Sequence, residues 1–538
     1  MKKHFIAILL FLFATSVYAE KFFHDDPIWK DQDQLAIPKP VEIEISQIYD
    51  LSYNTFRDPG KKKDTGAENI NTLGEVPDSS WFTNRIGRFP MTVDEIVKGP
   101  NKGNGPDMSG PWTIIRAKSQ GITPGFTIKD QRGDVYFIKF DPLKNPQLAT
   151  SAEVICTKFF HAFGYNVPEN YLADLRPEML QISPDAKFTD EDGRKREIRE
   201  KDVKKILKRV PKRPDGSVQV IASLALDGSP LGPFVYAGTR SDDPNDVFPH
   251  EKRRELRGMR VISSWLNHDD SRSINTLNMY IGEDGEGYIR HNLIDFGSTL
   301  GSGSVRPQSH RAGNEYYIEF PPTFRSAATL GLWDRPWRHV KYKESPAIGR
   351  YEGNYFQPEK WKPEYPNAAF ELMDSEDSLW ATRTIMRFTD DIVRAVVKEG
   401  KYDDPETENY LVETLLLRRD KVIRYYLDQI NPLYDFQIVQ KDGANALDFT
   451  HLGLEAGLTT SESYEYEWHR FDNKTDKTEA IGSKNTASTS SIAIPANQAE
   501  FLMVRIHTID SQHPNWKGAV DVYIRNASPV TVVGIERE

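Results

Sequence analysis

The order of apolar patterns along the chain predicts an α+β fold: a two-lobed domain over residues 111–432, then a small β-sandwich over 434–538. Three observations predict it. Short β-type runs crowd residues 112–140, and helical spacing dominates 378–432. A period of two then returns, with Leu502, Val504 and Ile506 alternating with Met503, Arg505 and His507, and Val520, Val522 and Ile524 with Asp521, Tyr523 and Arg525. Strands followed by helices indicate segregated α+β layers, and late period-two runs with turn-rich spacers indicate a sandwich.

The chain opens with Lys2 and Lys3, an apolar run over 5–13 and the small-residue site Ser16-Val17-Tyr18-Ala19. This is the pattern of a secretory signal cut after Ala19. The run is too short for a membrane span, so the expectation is a periplasmic or secreted protein without a transmembrane anchor after cleavage. A single cysteine, Cys156, excludes an internal disulfide; with 538 residues the chain can bury large cores without one. The net charge of -10 argues against nucleic-acid binding. Residues 20–110 read as a polar extension that packs on the main domain.

The first lobe spans 111–226. Strands are expected at 112–117, 126–129 and 135–140, the last two joined by the turn Asp130-Gln131-Arg132-Gly133. A helix over 146–163 carries Ala152, Ile155, Phe159 and Phe163 on one stripe and stops at Gly164. A strand at 171–175, a charged insertion with a short helix at 200–210, and a strand at 218–225 complete it. The second lobe, 227–432, begins with a helix over 249–265, with Leu256, Met259, Ile262 and Leu266 on one face. Two strands then flank Gly282-Glu283-Asp284-Gly285. One long helix is expected over 378–399, and another from the cap Asp404-Pro405 to Asn431-Pro432. An aromatic-rich insertion over 333–365 reads as core packing, or else as a groove for a sugar or peptide.

Chemistry concentrates in Asn267-His268-Asp269-Asp270-Ser271-Arg272-Ser273-Ile274-Asn275, followed by Asp295-Phe296-Gly297. An aspartate with an asparagine five residues on, then a second aspartate after an apolar run, are parts that phosphoryl transfer needs: a proton acceptor and two metal ligands. Upstream lie a glycine-bearing turn (Gly121 to Gly125), a lysine within a strand (Lys139) and a glutamate within the next helix (Glu153). A strand lysine facing polyphosphate needs a carboxylate to steady its flexible stem. No H-E-x-x-H, C-x-x-C or G-x-S-x-G pattern occurs.

In this order the residues resemble the protein-kinase-like superfamily, in the manner of its atypical branches: bacterial toxin kinases of the persistence type, spore-coat kinases and secretory-pathway kinases. The resemblance covers residues 111–432 and implies a two-lobed kinase-like domain. It implies that Lys139, paired with Glu153, binds nucleotide phosphates under a turn bearing Gly121 and Gly125. Asp270 would be the catalytic base, Arg272 would face the transferred phosphate, Asn275 and Asp295 would ligate Mg²⁺ or Mn²⁺, and His268 would be structural. Asp269 stands where the usual arginine would be, which leaves two adjacent aspartates as base; Asp270 is chosen for its spacing to Asn275. The glycine turn lacks G-x-G-x-x-G, and no A-P-E segment follows Asp295. The expected activity is an exported phosphotransferase moving a phosphoryl group from ATP or another nucleotide to a protein, sugar or small-molecule hydroxyl. The alternatives are a silent pseudokinase that binds a partner in the cell envelope, and a nucleotidyl (AMP) transferase on the same fold.

Overall fold

The computed structural model describes residues 20–57, 66–118, 125–189, 194–330 and 332–538, and its fold is α+β. The expected signal segment, Gly121 and the rest of the 119–124 turn lie outside the described residues.

Helices α1 (Gln47–Phe56) and α2 (Val93–Lys98) belong to the leading segment. That segment packs: Trp81, Phe82, Ile86 and Ile96 enter the largest core cluster. Strands β1 (Trp112–Lys118), β2 (Gly125–Lys129) and β3 (Val135–Phe140) follow, then α3 (Leu148–Phe163) and β4 (Asn170–Leu175). Next come β5 (Leu180–Thr189), β6 (Lys195–Glu197), α4 (Glu200–Leu207) and β7 (Val218–Leu224). The seven strands form one sheet in the order β4-β7-β3-β2-β1-β5-β6, with only β1 and β5 parallel. The charged insertion carries the expected short helix as α4 and, in addition, two strands, β5 and β6, that were not expected. β5 lies toward the sheet edge with alternation blurred by Pro184 and Asp185, so little apolar periodicity marks it.

Period-two burial divides this sheet into two faces. Tyr136, Ile138 and Phe140 point into a core shared with Val203 and Ile206 of α4. Lys139 takes the opposite face and is paired directly with Ile221, which packs with α3 in the largest cluster.

The next stretch contains β8 (Ser229–Pro230), α5 (Arg254–Leu266), β9 (Thr276–Ile281) and β10 (Tyr288–Leu293), with β10-β9-β8 forming a small antiparallel sheet. Helices α6 (Phe320–Ala328), α7 (Ala368–Glu371), α8 (Ser375–Met386), α9 (Asp390–Lys398) and α10 (Pro405–Leu427) follow. The single helix expected over 378–399 is two helices. Thr389 caps the second, its hydroxyl accepting the Ile392 N–H, and Asp390 and Asp391 favour the positive end of the new helix dipole. The helix expected over 249–265 likewise begins as a 3₁₀ turn at His250–Lys252, and α5 starts only at Arg254. In the aromatic-rich insertion, Tyr351, Phe356, Trp361 and Tyr365 are buried.

The final segment holds β11 (Leu433–Lys441), β12 (Ala444–His451), α11 (Leu452–Glu455), β13 (Tyr464–Asp472), β14 (Lys477–Ala480), β15 (Asn485–Ala487), β16 (Ser491–Ala493), β17 (Phe501–Thr508), β18 (Val520–Arg525) and β19 (Thr531–Arg537). They make a three-stranded sheet, β11-β12-β16, and a second sheet along β14-β13-β17-β18-β19, with β15 also on β13. Leu433, Leu447 and Ile492 of one share a core with Leu502, Val504 and Val522 of the other. Met503 and Tyr523, which alternation assigns to the outer face, are buried too. Phe22 from the chain's start covers them, its ring 5.0 Å from Tyr523 and 5.9 Å from Phe471. Phe22→Ala is therefore expected to cost about 3 kcal/mol of stability, read as a lower urea midpoint; an unchanged midpoint would show this contact to be passive. Among the described residues, no helix is long and apolar enough to cross a membrane.

Candidate active site

Lys139 projects from β3 toward α3, where its Nζ lies 3.1 Å from Glu153 Oε2 and 3.1 Å from Asp295 Oδ1. The spacing is fixed by a residue that sequence reading missed. Asp141, two residues after Lys139, accepts N–H bonds from Gln147 (2.9 Å), Ala149 (2.8 Å) and Thr150 (2.9 Å), and so holds the start of α3 against the end of β3. Glu153, one turn further on, is 2% exposed. It also accepts the Phe296 N–H at 3.2 Å, which ties the lysine partner to the segment carrying Asp295.

Asp295 follows β10 in the left-handed backbone region (φ 63), which an aspartate tolerates better than most side chains. Phe296 is fully buried and stacks on Phe160 of α3 with centroids 4.8 Å apart. Gly297 lies close against Glu153; a Cβ there would come within 3.1 Å of Oε2. Gly125 faces Lys139 across the β2–β3 ladder, and a Cβ on it would lie 2.5 Å from the Ile138 oxygen.

The second group descends from the end of α5. Asn267 ends that helix with φ 50. Its amide donates to Gln308 Oε1 (2.7 Å), while its Oδ1 accepts the Trp361 indole N–H (2.9 Å). His268 is buried between Phe160 and Phe296, and burial lowers its pKa to about 4, so the ring is neutral near pH 7. Ser273 to Asn275 form one 3₁₀ turn. Asn275 donates from Nδ2 to the Asp270 carbonyl oxygen (2.8 Å), leaving Oδ1 as the amide atom able to ligate a cation. Its own carbonyl oxygen accepts the Ile294 N–H at 3.0 Å, which brings the two groups together just before Asp295.

Asp270 and Arg272 form an ion pair, and Arg272 Nη1 also donates to Glu364 Oε2 at 2.7 Å. Asp269 turns elsewhere: its Oδ1 accepts from Gln308 Nε2 (2.6 Å), and its carbonyl oxygen accepts the Glu364 N–H (2.8 Å). The turn is further held by Asp50 of α1, whose carboxylate accepts from Ser273 N (3.2 Å), Ser273 Oγ (2.9 Å) and Tyr365 Oη (2.6 Å). Asp50, Gln308 and Glu364 come from segments in which the sequence offers no motif.

The electrostatics separate the carboxyl groups. Burial works against charge on Lys139, but Asp295 and Glu153 outweigh it and hold the ammonium above its ordinary pKa. Asp295, despite burial, is held below its ordinary value by Lys139. Glu153 is raised, by burial first. Asp270 is pushed up to about 8 by burial, opposed by Arg272 and reinforced by Glu364 and Asp295. Asp269 and Glu364 are raised as well, again by burial first.

Two spaces adjoin these residues. Lys139, Glu153, Asp295, Gly297 and Ser304 border a small one of about 10 Å³, room for a single water or ion. The other, about 370 Å³, is lined by Asp269, Asp270, Arg272, Gln308 and Glu364. Of the sequence-predicted site residues, Lys139, Glu153 and Asp295 thus border the first space and Asp270 and Arg272 the second. Asn275 bonds to Asp270 and Ile294 between them, Gly125 sits on the ladder opposite Lys139, and Gly121 lies outside the described residues. No family model, curated protein or solved structure matches the chain, so the site is read from its own geometry.

Proposed function

We propose that this chain is an exported kinase-like phosphotransferase, with a two-lobed domain over 111–432 and a β-sandwich over 434–538. It would act in the periplasm or outside the cell on a protein, sugar or small-molecule hydroxyl. The observation that carries this reading is Lys139 Nζ placed 3.1 Å from both Glu153 and Asp295, next to the Asp270–Asn275 turn. Lys139 would hold nucleotide phosphates, and Glu153 would keep its stem in place. Asp270 would take the proton of the acceptor hydroxyl, and Arg272 would offset charge developing on the transferred group.

The donor set suits a hard cation. Asp295 and Asn275 offer oxygen ligands, and among the described residues no group of three or more His, Cys, Asp or Glu side chains could cage a metal. Two side chains sharing an ion with substrate phosphates is the usual habit of Mg²⁺. When bound, Mg²⁺ or Mn²⁺ would neutralise phosphate charge.

The Asp270–Arg272–Glu364 ion pairs favour a second reading, a binding module whose carboxylate is spoken for. Incubating the full mature chain with ATP labelled on the α- or γ-phosphate, with Mg²⁺ and Mn²⁺ and cell-envelope extract, separates the cases. Label from γ is expected. Label from α would instead mean nucleotidyl transfer, and nucleotide binding without transfer of either label would favour the binding module. Asp295→Ala is expected to abolish metal-dependent nucleotide binding; retention of that binding would remove Asp295 from the proposed site.

A further inference from the structure

We propose that the cavity beside Asp270 receives a small hydroxylated acceptor bearing a phosphate or carboxylate, with Arg306 and Arg311 holding that anion. This rests on the phosphotransferase reading and names its acceptor class. The cavity measures about 370 Å³, which suits a hexose-sized molecule. Its charges are unequally satisfied. Arg272 is already engaged by Asp270 and Glu364. Glu315 accepts from Arg335 Nε (2.8 Å) and from the Trp337 indole (3.0 Å). Asp269 is taken up by Gln308.

Arg306 and Arg311 also line this cavity, yet among the described residues neither has a carboxylate within ion-pair distance. Arg311 is nonetheless positioned. Its guanidinium lies 4.1 Å from the Tyr317 ring centroid, and Nη1 donates to the Tyr317 carbonyl oxygen at 3.4 Å. A guanidinium preset against an aromatic face keeps donors free for a planar or tetrahedral anion, which it binds with less loss of side-chain freedom than a lysine would. Arg311 so placed, with the exposed Arg306 beside it on the wall of a cavity that Asp270 also lines, fits an acceptor with a hydroxyl at one end and an anion at the other.

In transfer, the acceptor oxygen forms a bond to the γ-phosphorus. The bond from that phosphorus to the β–γ bridging oxygen breaks, its electron pair leaves with ADP, and the hydroxyl proton passes to Asp270.

Calorimetric titration of the full mature chain with glucose 6-phosphate, glucuronate and uncharged glucose tests the idea without requiring turnover. At least one charged probe should bind ten-fold or more tighter than glucose. The double variant Arg306→Gln/Arg311→Gln should erase that preference while leaving the circular dichroism spectrum and ATP affinity unchanged. The inference is overturned if glucose binds equally well, if no probe binds saturably, or if the double variant keeps the preference. Charge preference retained by a chain that fails to bind ATP would support the anion pocket and sink only the phosphotransferase reading.

Discussion

Asp270→Asn is expected to lower phosphoryl transfer by roughly 10²- to 10⁴-fold, the span that a positioned general base contributes, while nucleotide affinity changes little. The asparagine keeps the shape and the Asn275 contact to the Asp270 carbonyl oxygen, but cannot accept a proton. The wild-type pH profile carries a second signature. Because Asp270 is pushed up to about 8, it must lose a proton before acting, so kcat/KM should climb with pH toward a bend near 8. Stability should move the opposite way. The folded chain holds this proton more tightly than the unfolded chain, whose aspartate titrates near 3.8. The associated stability is complete below that lower value and is lost as pH rises through about 8. Asp270→Asn has no such loss, so its unfolding midpoint should gain on wild type between pH 5 and pH 9. A midpoint difference that is flat across that range would show Asp270 to be ionised throughout, and full activity in the variant would remove it as the base.

Lys139→Met should be the most damaging single change to the upper part of the site. It leaves Glu153 and Asp295 facing each other without the cation that lies 3.1 Å from each. Stranding a buried carboxylate costs several kcal/mol. Because 30% of the lysine side chain is exposed, the lower end, about 3 kcal/mol, is appropriate. The loss should shrink as pH falls, since Glu153 already holds its proton more tightly than usual and can become neutral. Urea midpoints at pH 5 and pH 8, with nucleotide titrations alongside, read both effects. Equal stability at both pH values together with unchanged nucleotide affinity would make Lys139 a bystander.

The sequence made these residues legible wherever local periodicity fixed direction. Strand 135–140 was expected and Lys139 placed within it; because side chains alternate along a strand, the burial of Tyr136, Ile138 and Phe140 then turns Lys139 to the other face. The asparagine five residues after Asp270 and the turn at Asp295-Phe296-Gly297 are equally local. What stayed hidden was supplied by distant segments. Asp50 reaches Ser273 from more than two hundred residues away, and Gln308 and Glu364 settle the orientations of Asp269 and Arg272 from the far side of the cavity. No spacing rule connects such partners, because only the tertiary fold makes them neighbours. The break between α8 and α9 was missed for a different reason. The apolar stripe through Ile385, Phe388, Ile392 and Val396 continues in phase across it, and only the Thr389 cap marks the stop.

The seating of Phe22 bears on how the chain assembles. Its N–H donates to Asn473 Oδ1 across 451 residues, and Lys21 Nζ reaches Glu536 at 2.8 Å. Residues 21 and 22 precede these partners by 451 residues or more, so they must wait, unpaired, until Asn473 and Glu536 have been made before they can dock. Contacts of such sequence separation are slow to form, because the intervening loop must close before they reward it. Docking of residues 21–22 is consequently expected late in folding, and loss of β19, which carries Glu536, would leave Lys21 without that anchor.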